Sequence, residues 1–241
     1  MRRFFFSISK HRRINFIKFP SDKMKRLFFF VKRIAAMPAL MGRLFIVQFF
    51  TWFGLFALWI YATPVITKYV FRSLDFSSIN FEKGINWVGY CFAFYTLFAA
   101  FFTFYLPVIY KKTGKCRLHA ITLFIGSIGL MLLYFIANRW ILFFPFLLIG
   151  IAWSGISTIP YRIVGEIAKE NSDFYFSIFS FSVVIPQIIA AGSLGLITKY
   201  IFKGETNYTI LLGGISMLFG SLFMFFVKEV ETPSAKIRGV V

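Results

Sequence analysis

Six stretches of this 241-residue chain contain no Asp, Glu, Lys, Arg or His: residues 44–66, 87–109, 120–137, 140–159, 174–197 and 210–227. Acids are scarce throughout, nine against 27 Lys and Arg, and none lies in those stretches. General acid–base and nucleophilic catalysis need titratable groups held together, so the chain is not expected to be an enzyme. Two cysteines are too few for a disulfide framework; Cys91 in an uncharged stretch and Cys116 in a basic connection both fit a reducing compartment. His11 and His119 lie far apart with no Cys or carboxylate at ligand spacing, so neither a metal site nor a cofactor is expected. The apolar run Phe4, Phe5, Phe6 stops at Ser7, short of the roughly 7 to 15 residues of a signal peptide.

What remains is apolar. Hydrophobic residues make up 59% of the chain, charged ones 15%, and mean hydropathy is +0.75. The six uncharged runs match the roughly 20 residues that a helix rising ~1.5 Å per residue needs to cross the hydrocarbon of a bilayer. The expected fold is an all-α membrane protein: a basic arm (1–43) with a candidate interfacial helix around Met24, Leu27, Phe28 and Val31, six transmembrane helices (44–227), and a short tail (228–241). A net charge of +18 would suggest nucleic acid in a soluble protein. Here 21 of the 27 basic residues fall on one side of the alternating topology, which predicts both termini in the cytoplasm of a cell membrane, the bacterial inner membrane, facing anionic lipid, with no nucleic-acid partner.

Polarity is uneven among the spans. The third and sixth are nearly pure Leu, Ile, Phe, Gly and Met, whereas the first, second, fourth and fifth hold nearly all the Trp, Tyr, Ser and amide groups. Polar groups at membrane depth are costly without a partner or water. Four helices are therefore expected to face a cavity and two, the third and sixth, to face lipid. Close packing is expected at Ala191 and Gly195, Ser216 and Gly220, and Gly126 and Gly129, because small residues let helix backbones approach. Asn138 and Arg139 alone are expected to link the third and fourth spans, Arg162 to pair with Glu166 four residues on, and Asp173 to cap the fifth span.

Gln48, Trp52, Leu55 and Trp59 recur at helical spacing, so one face of the first span presents an amide and two indoles. Amides donate to and accept from hydroxyls, and flat aromatic rings cover the apolar faces of a pyranose, which suits a sugar; the same stripe also suits packing against helices or lipid. Trp153, Ser157 and Tyr161 share a face of the fourth span; Ser177, Ser180, Val184 and Gln187 form a stripe on the fifth, and Trp87, Cys91 and Tyr95 one on the second. Each stripe is open to both readings.

Several runs are similar to a known family. Met37-Pro-Ala-Leu-Met41, Val47-Gln48-Phe-Phe-Thr-Trp52-Phe53 and Trp59-Ile-Tyr-Ala-Thr-Pro64 resemble the start of the seventh helix in Major Facilitator Superfamily transporters, in particular the sucrose and maltose proton symporters related to the glycoside-pentoside-hexuronide:cation symporters. Gly150-Ile-Ala-Trp153, Pro160-Tyr161 and Val184-Ile-Pro186-Gln187-Ile188 resemble that group's tenth and eleventh helices. The resemblance covers 37–228 and implies the carboxy-terminal six-helix half of the fold, a 3+3 inverted repeat, in a secondary carrier coupling sugar to a proton or other cation. It implies that Gln48, Trp52, Trp59, Trp153, Ser157 and Gln187 line a sugar pathway whose other wall comes from a complementary amino-terminal half or a second copy. Three departures accompany it: Lys111 stands where the family's gating loop carries an acid, Arg162 follows Pro160-Tyr161 where a small residue is expected, and no membrane carboxylate is present to couple a proton. The alternative is a non-transporting six-helix membrane interaction protein or gene remnant.

Overall fold

The computed structural model describes residues 37–168 and 172–227. The chain divides into two compact units, Met1–Met37 and Pro38–Val241, and all that follows belongs to the second. The basic arm with its expected interfacial helix, and the tail, lie outside the described residues. Among those described, the structure is all-helical with six helices long and apolar enough to cross a membrane: α1 (Ala39–Val65), α2 (Ile79–Thr113), α3 (Lys115–Leu132), α4 (Phe143–Ile167), α5 (Ser172–Leu196) and α6 (Thr206–Phe225). Helices satisfy every internal backbone polar group without water, which lipid demands.

The helices do not stop where the charges begin. α1 continues through a π-helical turn, Ile66–Val70, and α2 starts at Ile79, so the expected 20-residue loop shrinks to residues 71–78. Ser78 caps α2 by accepting the Phe81 N–H at 3.1 Å, and Glu82 sits in the first turn where the helix dipole favours negative charge. α2 and α3 are separated by Gly114 alone, whose φ of +86° lies in the left-handed region open to glycine. Conversely, α3 ends at Leu132 and α4 begins at Phe143, so residues 133–142, not Asn138 and Arg139 alone, make that connection. Three connections (α1–α2, α3–α4, α5–α6) lie at one end of the bundle, the Arg139 end; the other is the Lys115 end.

α1 packs on α5 and α6, α4 packs on α2 and α3, and α3 packs on α6. This pattern is unchanged when the first three helices are exchanged with the last three. It corrects the expectation that the third and sixth spans face lipid. The most apolar windows of α3 and α6 are 56% and 50% buried, against 17% for α2 and 28% for α5. The physical reason is that apolar side chains gain little by leaving lipid for protein, so helix contact follows close backbone approach rather than polarity. Glycines supply that approach. A Cβ on Gly54 of α1 would meet the Gly213 carbonyl oxygen of α6 at 2.5 Å, and one on Gly129 of α3 would meet the Pro145 carbonyl of α4 at 2.7 Å. Gly126 lies against Ala152 of α4, with Met217 of α6 also in reach. Ser216 and Ser221 of α6 donate to the carbonyls of Phe50 and Ala120, both at 2.8 Å, tying α6 to α1 and α3. The expected packing of Ala191 and Gly195 is not found: both are exposed, and nothing approaches Gly195 within 4 Å.

A short repeat governs the Arg139 end. Ile-Thr-Lys-Tyr occurs at 66–69 and again at 197–200, each time followed by Phe two residues later and then by a basic residue. Both copies form π-helical turns that close in the same way: Phe71 and Phe202 donate to the carbonyls of Ile66 and Ile197, and Arg72 and Lys203 adopt φ of +53° and +52°. The first copy is anchored through Glu205, which pairs with Lys68 at 2.8 Å and accepts the Tyr69 hydroxyl. Those partners, Lys68 foremost, hold the Glu205 carboxyl below its ordinary range. A depressed carboxylate stabilises the fold above the pKa of the unfolded chain, ~4.3, and loses that contribution as pH falls through the folded value. Glu205→Gln should therefore unfold at a lower temperature than the parent at neutral pH, and the difference should close as pH drops below about 4; a difference that persists unchanged there would show that the carboxylate is not the source.

Candidate functional site

α1 and α4, the first helices of the two triplets, run antiparallel and carry the indoles. Trp52 and Trp59 of α1 and Trp153 of α4 converge edge to face. Their ring centroids lie 6.0 Å apart for Trp52–Trp59, 6.0 Å for Trp52–Trp153 and 5.8 Å for Trp59–Trp153. Spacing puts Trp52 and Trp59 two turns apart on α1, so Trp153 sits between their levels and touches both. These distances are those of favourable aromatic pairs. Trp52 is 7% exposed and Leu55 1%, while Trp59 and Trp153 are half-buried.

Gln48 lies one turn from Trp52 toward the Lys115 end and is 1% exposed. Among the described residues its Oε1 has no hydrogen-bond partner, nor has the buried Nε1 of Trp52. An acceptor and a donor one turn apart, both shut from solvent and both unpaired, are costly unless something pairs them. Ser157 follows Trp153 by one turn on the antiparallel α4, on the same side of the indoles as Gln48. Its hydroxyl donates to the Trp153 carbonyl at 2.8 Å, so its proton is spent within its own helix and only its lone pairs are free for another group.

Gln187 is half-buried on α5, and no hydrogen bond joins it to Gln48, Ser157 or an indole among the described residues. Ser177, Ser180 and Val184 of the same stripe are exposed, and Ser180 donates to the Phe176 carbonyl of its own helix. The structure thus brings together Trp52, Trp59 and Trp153, with Gln48 and Ser157 one turn along their own helices, and shows no hydrogen bond from Gln187 to that cluster among the described residues. On α2, Cys91 and Tyr95 are buried against α4, where Tyr95 and Phe92 meet Phe146, while Trp87 packs on Trp140 at the Arg139 end.

At the Lys115 end the expected Arg162–Glu166 pair gives way to a contact between helices. Glu166 of α4 takes Lys115 of α3 at 2.5 Å, and Arg162 lies over the Tyr110 ring of α2 at 5.6 Å. The first turn of α3 comes closer to Glu166 than its helical neighbour does, a preference that spacing along one helix does not reveal. Asp173 lies in the first turn of α5, where its charge suits the helix dipole, but the position preceding Ser172 lies outside the described residues.

His119 lies just outside the third uncharged stretch, where charge alone predicts a connection. It is instead fully buried in α3, and neither ring nitrogen has a hydrogen-bond partner. Its nearness to Lys111, Lys112 and Lys115 masked it, because the spans were bounded by charge. No group of three or more His, Cys, Asp or Glu that could hold a metal occurs among the described residues.

The chain matches no protein-family model and no curated protein.

Proposed function

We propose that this chain is the carboxy-terminal half of a Major Facilitator Superfamily carrier and supplies one wall of a pathway for a sucrose- or maltose-like sugar moved together with a proton. The observation that carries the reading is the unpaired Gln48 Oε1 and Trp52 Nε1 beside three converging indoles. A sugar hydroxyl donates to the amide oxygen, a second sugar oxygen accepts the indole proton, and the ring's C–H face lies on an indole. Helix pairing that survives exchange of the two triplets supports a 3+3 inverted repeat, the architecture in which substrate sits between the halves near the midplane. Exposure of α2 and α5, the second helix of each triplet, leaves a broad apolar face for a complementary six-helix half or a second copy.

The test is proton-driven uptake of labelled sucrose or maltose into vesicles containing this chain and a complementary half. Trp153→Ala should cut uptake at least about tenfold without loss of co-assembly, since a stacking platform of this size contributes on the order of 1.4 kcal/mol or more. Absence of sugar uptake by co-assembled halves would sink the proposal.

One observation favours a second reading, a non-transporting membrane interaction protein: the three indoles pack on one another, which is what a structural core does. Deleting residues 1–36 separates the two, because the interaction protein loses its leaflet or partner association and the carrier half still joins its complement.

A further inference from the structure

A second cluster, independent of the carrier reading, lies at the Arg139 end. A recess of about 480 Å³ is bounded by Val70 and Phe71 at the end of α1, Asn80 in the first turn of α2, and Ala137, Asn138, Arg139 and Trp140 of the α3–α4 connection. Its polar side chains are Arg139, Asn138 and Asn80. The Arg139 guanidinium sits 5.6 Å from the Trp87 ring and 5.4 Å from the Trp140 ring, and these two indoles stand perpendicular to each other at 4.9 Å. Trp87 Nε1 donates to the Arg139 carbonyl at 2.9 Å, so the cation is held by both its backbone and its side chain. Aromatic faces orient a guanidinium without neutralising it. The ion pairs among the described residues are Lys68–Glu205 and Lys115–Glu166, which leaves Arg139 with no carboxylate there.

Asn138 accepts the Trp140 N–H through Oδ1 at 2.9 Å, which engages its oxygen and leaves its NH₂ as a donor, and no acid lines the recess. A planar cation, two carboxamides and no acid recognise a group with several anionic oxygens. The other lining residues, Val70, Phe71, Ala137 and Trp140, carry largely apolar side chains, and Phe135, Trp140 and Ile141 of the same connection are 72%, 62% and 52% exposed. Apolar surface next to an anion site suits a phosphate ester that carries hydrocarbon.

We infer that this recess binds a phosphoryl group, held by Arg139, Asn138 and Asn80 between the Trp87–Trp140 clamp and the end of α1. A phosphodiester lipid headgroup and a soluble phosphate monoester share that chemistry, and the experiment distinguishes them. Native mass spectrometry of the full chain with phosphatidylglycerol, with diacylglycerol, which lacks the phosphoryl group, and with glycerol 3-phosphate as competitor reads retained ligand directly. The expected result is preferential retention of phosphatidylglycerol that falls about tenfold in Arg139→Gln, the usual scale for losing a charge-assisted contact. Asn80→Leu, at an exposed position on a different element, should reduce retention in the same direction, which guards against a folding defect in the first variant. Displacement of the lipid by glycerol 3-phosphate at millimolar concentration assigns the site to soluble esters; no displacement assigns it to lipid. Retention that is equal for the two lipids, or unchanged in both variants, overturns the inference.

Discussion

Gly126→Ala should destabilise the bundle by about 1 to 3 kcal/mol, whereas Gly195→Ala should leave it unchanged or stabilise it by roughly 0.5 to 1 kcal/mol. The two substitutions add the same methyl group to a membrane helix. At Gly126 the new carbon runs into the Ala152 side chain of α4, with Met217 Sδ of α6 at 3.1 Å; the methionine can swing away, but Ala152 has no rotamer to change and can move only with its backbone. At Gly195 nothing lies within 4 Å, so the methyl meets open surroundings and alanine's higher helix propensity prevails. Gly213→Ala should follow Gly126, because its Cβ would meet that of Ala57 at 2.7 Å and the Gly54 carbonyl oxygen at 3.0 Å. Loss of helicity along a denaturing-detergent titration measures all three. Equal effects at Gly126 and Gly195 would mean that α3 and α6 do not form the central seam.

That seam marks the boundary of what was legible in the sequence. Six spans were legible because lipid imposes a length and excludes charge, and six helices long and apolar enough to cross a membrane are present among the described residues. Gln48, Trp52 and Trp59 were legible as one stripe and Trp153 as part of another, because helical periodicity survives in any surroundings, but periodicity along one helix does not show that the two stripes meet. Which helices are central was not legible from polarity. In water an apolar face signals a core, but in lipid both the core and the surface are apolar, and the informative residues are those that permit contact: Gly54, Gly126, Gly129, Gly213 and Gly220. The same cause misplaced His119. An imidazole beside three lysines reads as loop, and only the packing of α3 against α4 and α6 shows it to be interior. The Ile-Thr-Lys-Tyr repeat could be read directly from the sequence, yet its length of four residues gives no reason to expect that both copies end a helix in the same unusual way.

The two copies of that repeat differ sharply in their surroundings, and so should their response to one substitution. Thr198→Val should cost about 2 kcal/mol or more, and Thr67→Val less than about 0.5 kcal/mol. Thr198 is the hub of a buried knot. Its hydroxyl donates to the Leu194 carbonyl at 2.7 Å and lies 2.9 Å from the Tyr61 hydroxyl of α1 and 2.7 Å from the Thr209 hydroxyl of α6. Its single proton is shared between the Leu194 carbonyl and the Tyr61 hydroxyl, which both accept, so Thr209 donates to it. Valine has nearly the same shape but neither donates nor accepts, so it strands the Tyr61 and Thr209 hydroxyls, which are 8% and 0% exposed. Thr67 donates only to carbonyls of its own helix, Thr63 at 2.9 Å and Pro64 at 3.4 Å, and its methyl, which fits against Gly84, is retained in valine. A Tyr61→Phe, Thr198→Val double-mutant cycle isolates the α1–α5 link: once Tyr61 has lost its hydroxyl, Thr198→Val should cost less, because one of the two stranded hydroxyls is gone. If Thr67→Val and Thr198→Val are equally mild, the ends of α1 and α5 are held by side-chain packing and the Glu205 contacts, and the knot contributes nothing that valine cannot replace.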